Sequence, residues 1–350
     1  MVKKRISRGK FDKLQQLSND QGIIAALAID QRGSMKRMME AAAKKAGKEY
    51  SIDMVYEFKE LVSQVLTNHV SGILLDEELG FKGIKAKAKQ SGLILSYEKT
   101  GYDVNTVGRF PELLPNESLQ RLLNKGADAA KVLVYYNPND KPEINDVKHA
   151  FLERLGNEGL AADIPLFVEI VTYDDAIPDS KSVAFAKEKP QLVIDSMKEF
   201  SKEKYHIDVI KTEVPVNFDY VEGYTAKGVA PLYTKEEAAR YFTAANDAVD
   251  RPFIYLSAGV SAETFRNELT FAGQSHTKYN GILGGRATWL EGVEVYAQKG
   301  RTGLLEWLNK QGKQNVTELN DILNEGATPW YDWYGGLGNI EVFDKKVMTD

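Results

Sequence analysis

Asp208-Val-Ile-Lys-Thr-Glu-Val-Pro-Val216 reads as a buried β-strand, and it carries a lysine, Lys211, near its middle. Seven other runs in the chain look like it: Ile23–Asp30, Gly72–Asp76, Gly92–Glu98, Ala129–Tyr136, Pro165–Tyr173, Phe253–Val260 and Gly281–Thr288. All are rich in Val, Ile and Leu, and most lack in–out polar alternation. That is the pattern of parallel strands covered on both faces.

Amphipathic stretches separate most of these runs. Helices are expected over Asp53–His69, with Ser51 or Asp53 as N-cap, over Asn116–Lys125 and over Asp146–Glu158. Ser182–Lys202 reads as two helices split at Pro190. Thr234–Ala248 opens Thr-Lys-Glu-Glu, the spacing of a capping box. Ala262–Ala272, Leu290–Lys299 and Leu304–Lys310 complete the set. Eight β/α units predict an α/β protein with a (β/α)8 TIM barrel, a fold of typically ~250 residues before insertions. An open doubly wound sheet is the alternative. The first βα turn, Asp30-Gln-Arg-Gly-Ser, lacks the glycine fingerprint of its dinucleotide-binding form.

No Pro/Gly/Ser-rich linker interrupts the chain, so a single barrel domain over residues 23–327 is expected. Residues 1–22 would supply an N-terminal helix capping the barrel bottom, and residues 328–350 a C-terminal extension. That tail, Thr328-Pro-Trp-Tyr-Asp-Trp-Tyr-Gly-Gly-Leu-Gly-Asn, suits docking onto the barrel or onto another subunit. A lid over the active site is the other reading.

The chain has 350 residues, 43% of them hydrophobic and 27% charged, with a net charge of -5. Scattered basic residues on an acidic chain argue against a nucleic-acid-binding role. The absence of cysteine removes disulfides, thiolate metal sites and a cysteine nucleophile. The basic start is followed by no apolar signal segment, and no apolar run approaches the roughly 20 residues that span a bilayer. A cytoplasmic protein without membrane association is expected.

In a barrel, catalytic residues sit at the C-terminal ends of the strands. The shortlist there is Asp30, Gln31, Arg32, Asp76, Glu98, Lys99, Lys131, Glu169, Lys211, Glu213, Ser257 and Arg286. Lys131, Glu169 and Lys211 lie on three successive strands and can converge if all face inward. Burial disfavours a charged ammonium, and a lysine that is neutral part of the time can attack a carbonyl and form a Schiff base. A second cation and a carboxylate would then manage the oxyanion and the protons. The competing reading is a buried ion-pair layer that only fixes barrel register.

Leu256-Ser-Ala-Gly-Val-Ser261 and Gly284-Gly-Arg-Ala-Thr288 follow the seventh and eighth runs, where this architecture often binds phosphate. Small residues let backbone N–H groups reach an anion, and Arg286 adds a forked donor. Tight strand–helix packing is the alternative use of those glycines. Arg32 is a candidate for a second anion, or simply a surface arginine. The four histidines, His69, His149, His206 and His276, fall away from the strand ends and form no metal-binding pair.

Six segments together resemble the class I tagatose 1,6-bisphosphate aldolases of bacteria: Ala26–Gly33, Leu95–Asp103, Gly126–Lys131, Asp208–Val216, Tyr255–Ser261 and Gly285–Trp289. They occur in the family's order and cover roughly residues 15–328. The resemblance implies that Lys211 forms a Schiff base with the C2 ketone of the ketose. Glu169 would be its acid/base partner, Lys131 the second lysine, and Asp30 a group acting at the C4 hydroxyl. Ser257 and Arg286, with Gly259 and Gly285 beside them, would hold the C1 phosphate. Gln31 and Arg32 would reach substrate hydroxyls or the far phosphate. The products would be dihydroxyacetone phosphate and glyceraldehyde 3-phosphate, in carbohydrate metabolism of the lactose and galactose kind. The resemblance also implies no metal and no cofactor, and a homo-oligomer, dimer or tetramer, is expected. Alternatives left open are a sulfofructose phosphate aldolase, a transaldolase with the same lysine chemistry, and a non-catalytic sugar-phosphate-binding regulator.

Overall fold

A computed structural model describes residues 4–99 and 106–345. Residues 100–103 of the Leu95–Asp103 segment, and the tail beyond residue 345, therefore lie outside the described residues. In chain order the elements are β1 (Lys4–Ser7), α1 (Arg8–Gln16), β2 (Ile24–Ala28), α2 (Gly33–Lys45), α3 (Ile52–Leu66), β3 (Gly72–Leu75), α4 (Glu77–Ala86) and β4 (Gly92–Ser96). Then come α5 (Leu119–Asn124), β5 (Ala129–Tyr136), α6 (Pro142–Ala162), β6 (Leu166–Thr172), α7 (Val183–Phe200) and β7 (Val209–Thr212). The chain continues with α8 (Lys235–Asp247), β8 (Phe253–Leu256), α9 (Ala262–Gln274), β9 (Gly281–Gly284), α10 (Arg286–Trp307), α11 (Lys313–Gly326) and β10 (Ile340–Phe343).

Strands β2 to β9 pair in parallel and in sequence order, and β9 closes back on β2. This is the (β/α)8 barrel the alternating runs predict. One face of each strand packs outward on the helices. The other fills the barrel with Ile24, Ala26, Leu74, Ile94, Ala129, Phe167, Val209, Ile254 and Leu283. The period-2 geometry of a strand places Lys131, Glu169 and Lys211 on this same inward face, two residues beyond Ala129, Phe167 and Val209.

Several strands are shorter than their apolar runs. Pairing stops at Thr212, Leu256 and Gly284, although apolar residues continue to Val216 and Val260. Val214 and Val216 remain buried as loop residues above the barrel wall, so hydrophobicity overstated the strand. Helices α2, α4 and α11 are additional to the sequence reading. Pro190 does not split α7, which runs unbroken from Val183 to Phe200. A proline has no N–H for the carbonyl four residues earlier. Here that carbonyl, on Ala186, instead accepts a 2.8 Å hydrogen bond from the Tyr233 hydroxyl. The expected break after Lys299 is a kink in α10 at Gly300, whose φ is 64°. Thr234 and Glu237 do form a reciprocal capping box on α8.

The barrel's N-terminal end is sealed. Leu14 and Leu17 of the first helical segment join the inward-facing cluster together with Trp330 from the tail. Leu17 reaches the starts of β3 and β4, where a Cβ on Gly92 would stand 2.6 Å from its side chain. Trp330 is fully buried, and its indole N–H donates to Gln15. Asn280 ties the tail down by donating to the Thr328 and Pro329 carbonyls and accepting from the Trp333 indole. Strand β10 then pairs in parallel with β1. The described part of the tail thus packs on its own barrel, at the end opposite the strand C-termini, and not over the cavity. Among the described residues no helix is long and apolar enough to cross a membrane.

Candidate active site

The strand C-termini open into a cavity of about 670 Å³. Lys211 and Glu169 stand side by side in its wall, paired in register on adjacent strands. Lys211 Nζ lies 2.8 Å from Glu169 Oε1, and Lys131 Nζ lies 2.7 Å from Glu169 Oε2. One carboxylate therefore bridges two ammonium groups. Lys131 also meets Asp30 at 2.9 Å and Glu98 at 2.8 Å. It is 2% exposed and stands with Asp30 one step behind the cavity wall.

The charges in this cluster are not equivalent. Burial opposes a charged Lys131, but Asp30, Glu169 and Glu98 outweigh it and hold its pKa well above the ordinary lysine value. Burial likewise pushes against ionised Asp30, yet Lys131 and Lys211 hold it down at about 2. Glu169 is lowered for the same reason, the two lysines overcoming its burial. Glu98 goes the other way: burial, with the Asp30 charge nearby, raises it despite Lys131. Lys131 is thus held as a cation, Asp30 and Glu169 rest as anions beside it, and Glu98 is the carboxyl of the three that burial disposes most to hold a proton.

The loops after β8 and β9 form the adjoining wall. Ser257, Gly259, Gly285 and Arg286 all line the cavity. Ala258 and Gly259 both have left-handed backbone, with φ of 45° and 80°. A Cβ on Gly259 would fall 2.3 Å from the Arg286 guanidinium, so glycine lets that side chain lie against the loop. Gly285 precedes the first turn of α10, whose free N–H groups favour an anion. Gln31 lines the cavity beside them.

Arg32 does not line it. Its side chain is buried and donates to the Glu98 carbonyl at 2.7 Å. It is neither a surface arginine nor exposed to a ligand in the cavity; it braces the loop that carries Glu98. Other charged residues line the cavity, and the sequence reading assigned none of them a role in the site. Glu213 accepts from the backbone and hydroxyl of Thr172 and faces Lys189 at 3.6 Å. Glu268 on α9 is pushed up to about 8 by burial, against the pull of Lys189 and with Asp219 and Glu213 adding to the rise. At neutral pH it offers the cavity a donor rather than a charge. Glu213 stood on the strand-end shortlist. Lys189 and Glu268 fall inside stretches expected to be helical and Arg109 between expected elements, so no strand-end position singled them out. Among the described residues, no group of three His, Asp or Glu side chains is placed to hold a metal ion.

A model of the DeoC/LacD family of aldolases matches residues 24–291. A Listeria monocytogenes protein named tagatose 1,6-diphosphate aldolase is 52% identical over 342 residues, covering 98% of this chain and 99% of that protein. A Staphylococcus aureus protein of the same name is 49% identical over 324 residues, covering 93% and 98%. Among solved structures, fructose-bisphosphate aldolase from Plasmodium falciparum superposes with a TM-score of 0.62 over 91% of this chain and 97% of that one. At 13% identity that likeness speaks to the fold alone.

Proposed function

The chain belongs to the DeoC/LacD family of aldolases, and from that premise we propose that it cleaves tagatose 1,6-bisphosphate through a Schiff base on Lys211. The observation that carries this reading is the single carboxylate, Glu169, shared between a lysine in the cavity wall and a lysine held cationic behind it. Lys211 gives a proton to the Glu169 carboxylate 2.8 Å away, its free Nζ adds to the C2 carbonyl, and Glu169 passes that proton on to the resulting hydroxyl so that it leaves as water. The iminium that remains draws electrons from the C3–C4 bond once the C4 hydroxyl gives up its proton to Glu169. The aldehyde, glyceraldehyde 3-phosphate, departs. Return of that proton to C3 of the enamine, followed by hydrolysis, frees dihydroxyacetone phosphate and Lys211.

Lys131 keeps Glu169 in place throughout, and its positive charge stabilises the carbinolamine oxygen. Asp30 acts through Lys131 instead of touching the substrate. Ser257, Arg286 and the Gly259 and Gly285 backbone hold the C1 phosphate, and Gln31 is within the same cavity to meet a sugar hydroxyl. The sequence names of the two quoted relatives support the choice of tagatose over other ketoses.

Reduction with borohydride in the presence of substrate should fix a covalent adduct, and peptide mass mapping should find it on Lys211. An adduct on another residue, or none from an active preparation, sinks the mechanism. Activity should also survive EDTA. Steady-state comparison of tagatose, fructose and sulfofructose phosphates tests the substrate, and faster cleavage of the sulfonated sugar would reassign it.

A further inference from the structure

A bisphosphate needs two anion sites, and Arg32 is turned away from the cavity. We propose that Arg109, assisted by Lys181, is the subsite for the phosphate farthest from the ketone. This rests on the proposed ketose-bisphosphate reading and deepens it.

Arg109 lines the cavity with its side chain 14% exposed. Its guanidinium lies 4.1 Å from the ring centre of Tyr173 and 5.5 Å from that of Tyr135. Tyr135 is the penultimate residue of the fourth barrel strand, β5, and Tyr173 follows the fifth, β6. Behind Tyr173, the Lys148 ammonium donates to its hydroxyl at 3.0 Å, which fixes the ring. Two aromatic faces therefore hold the guanidinium as a fixed plane.

The placement is across the mouth from the first anion site. Arg286 follows the eighth barrel strand, which lies opposite the fourth in a closed eight-strand ring. Lys211, on the sixth, falls between them. An extended sugar with an anion at each end would span the mouth over Lys211.

Two further observations point to a ligand. Arg109 Nε is buried without a hydrogen-bond partner, which is costly for a charged donor. Arg109 also holds left-handed backbone, φ 42°, directly after Gly108 at 89°, so the chain carries strain to present this side chain. The guanidinium already holds one anion, Asp175, at 3.0 Å. That carboxylate is 45% exposed on a loop, so a phosphate can displace it. Lys181 lines the same side, with its backbone anchored by the Tyr220 hydroxyl at 2.9 Å.

The test uses ligands without a ketone, so that no Schiff base can form. Calorimetry would compare hexitol 1,6-bisphosphate with hexitol 1-phosphate on the wild-type protein. The bisphosphate should bind roughly 10- to 100-fold more tightly, the range of a charge-assisted hydrogen-bond pair. In Arg109→Ala that ratio should collapse at least tenfold, in Lys181→Ala by less, and Arg109→Lys should restore part of it. If Arg109→Ala does not fold, the Lys substitution and Lys181→Ala carry the result. A wild-type ratio near one, or a ratio that the variants leave intact, overturns the proposal. A 6-sulfonate in place of the 6-phosphate should bind more weakly, because two cations favour a dianion; equal or tighter binding overturns the phosphate assignment. Binding that follows these expectations in a protein unable to cleave any ketose bisphosphate would instead defeat the proposed reaction and leave the anion site standing.

Discussion

Lys59 and Lys211 are both buried, and each is paired with one carboxylate. Lys59 bridges from α3 to Asp76 at the end of β3, within the barrel wall, and is 0% exposed. Burial lowers the Lys59 pKa, and burial raises that of Asp76, so this sealed pair is pushed toward neutrality. Its surroundings satisfy the electrostatic condition for a nucleophilic amine, yet neither Lys59 nor Asp76 lines the cavity at the strand ends. Lys211 instead shares its carboxylate with a second cation and faces 670 Å³ of open space. Burial of a lysine is therefore not the mark of a reactive one. Access and the company of the carboxylate separate the two.

Exchanging side chains at the two positions should break the comparison most sharply. Lys211→Ala should lower kcat by on the order of 10⁴-fold or more in the steady-state assay, while the thermal midpoint stays near that of the wild type. Activity that survives the loss would remove Lys211 from the chemistry. Lys59→Met should do the opposite. It strands the Asp76 carboxylate in the wall and should cost about 3–5 kcal/mol in urea unfolding, with kcat of the folded fraction little changed. A large loss of kcat without loss of stability would mean that the sealed pair takes part in turnover.

Glu169→Gln tests the shared carboxylate. A loss of about 10²- to 10⁴-fold in kcat is expected, since the amide keeps the shape but cannot move the proton. Equal loss in binding of a ketone-free analogue would point to packing instead.

The smallest effect is on pH dependence. Asp30 is held at about 2, below its ordinary 3.8. A carboxyl lowered on folding stabilises the folded state above its unfolded value, and that contribution disappears as pH falls from about 4 through 2. Urea titrations of wild type and Asp30→Asn should show the wild type losing more stability as pH falls from about 4 to 2. Parallel curves would mean that the Lys131 contact does not depress this carboxyl.

The eight apolar runs made the barrel legible, because parallel strands covered on both faces must be apolar nearly throughout and such runs recur only in β/α repeats. The same signal blurred strand ends, since Val214 and Val216 are buried by loops and not by pairing. Pro190 misled for a related reason: a local rule is overridden when a distant hydroxyl, that of Tyr233, serves the carbonyl it orphans. At the site, strand parity allowed Lys131, Glu169 and Lys211 to converge if all faced inward, and the register between neighbouring strands decided that they do. What no local pattern could decide is where a loop side chain ends. Only the closed ring turns Arg32 inward to Glu98, sets Arg109 across the mouth from Arg286, and leaves Lys59 sealed while Lys211 is open. Those outcomes depend on which strands stand opposite each other, and that distance exists only after the sheet has closed.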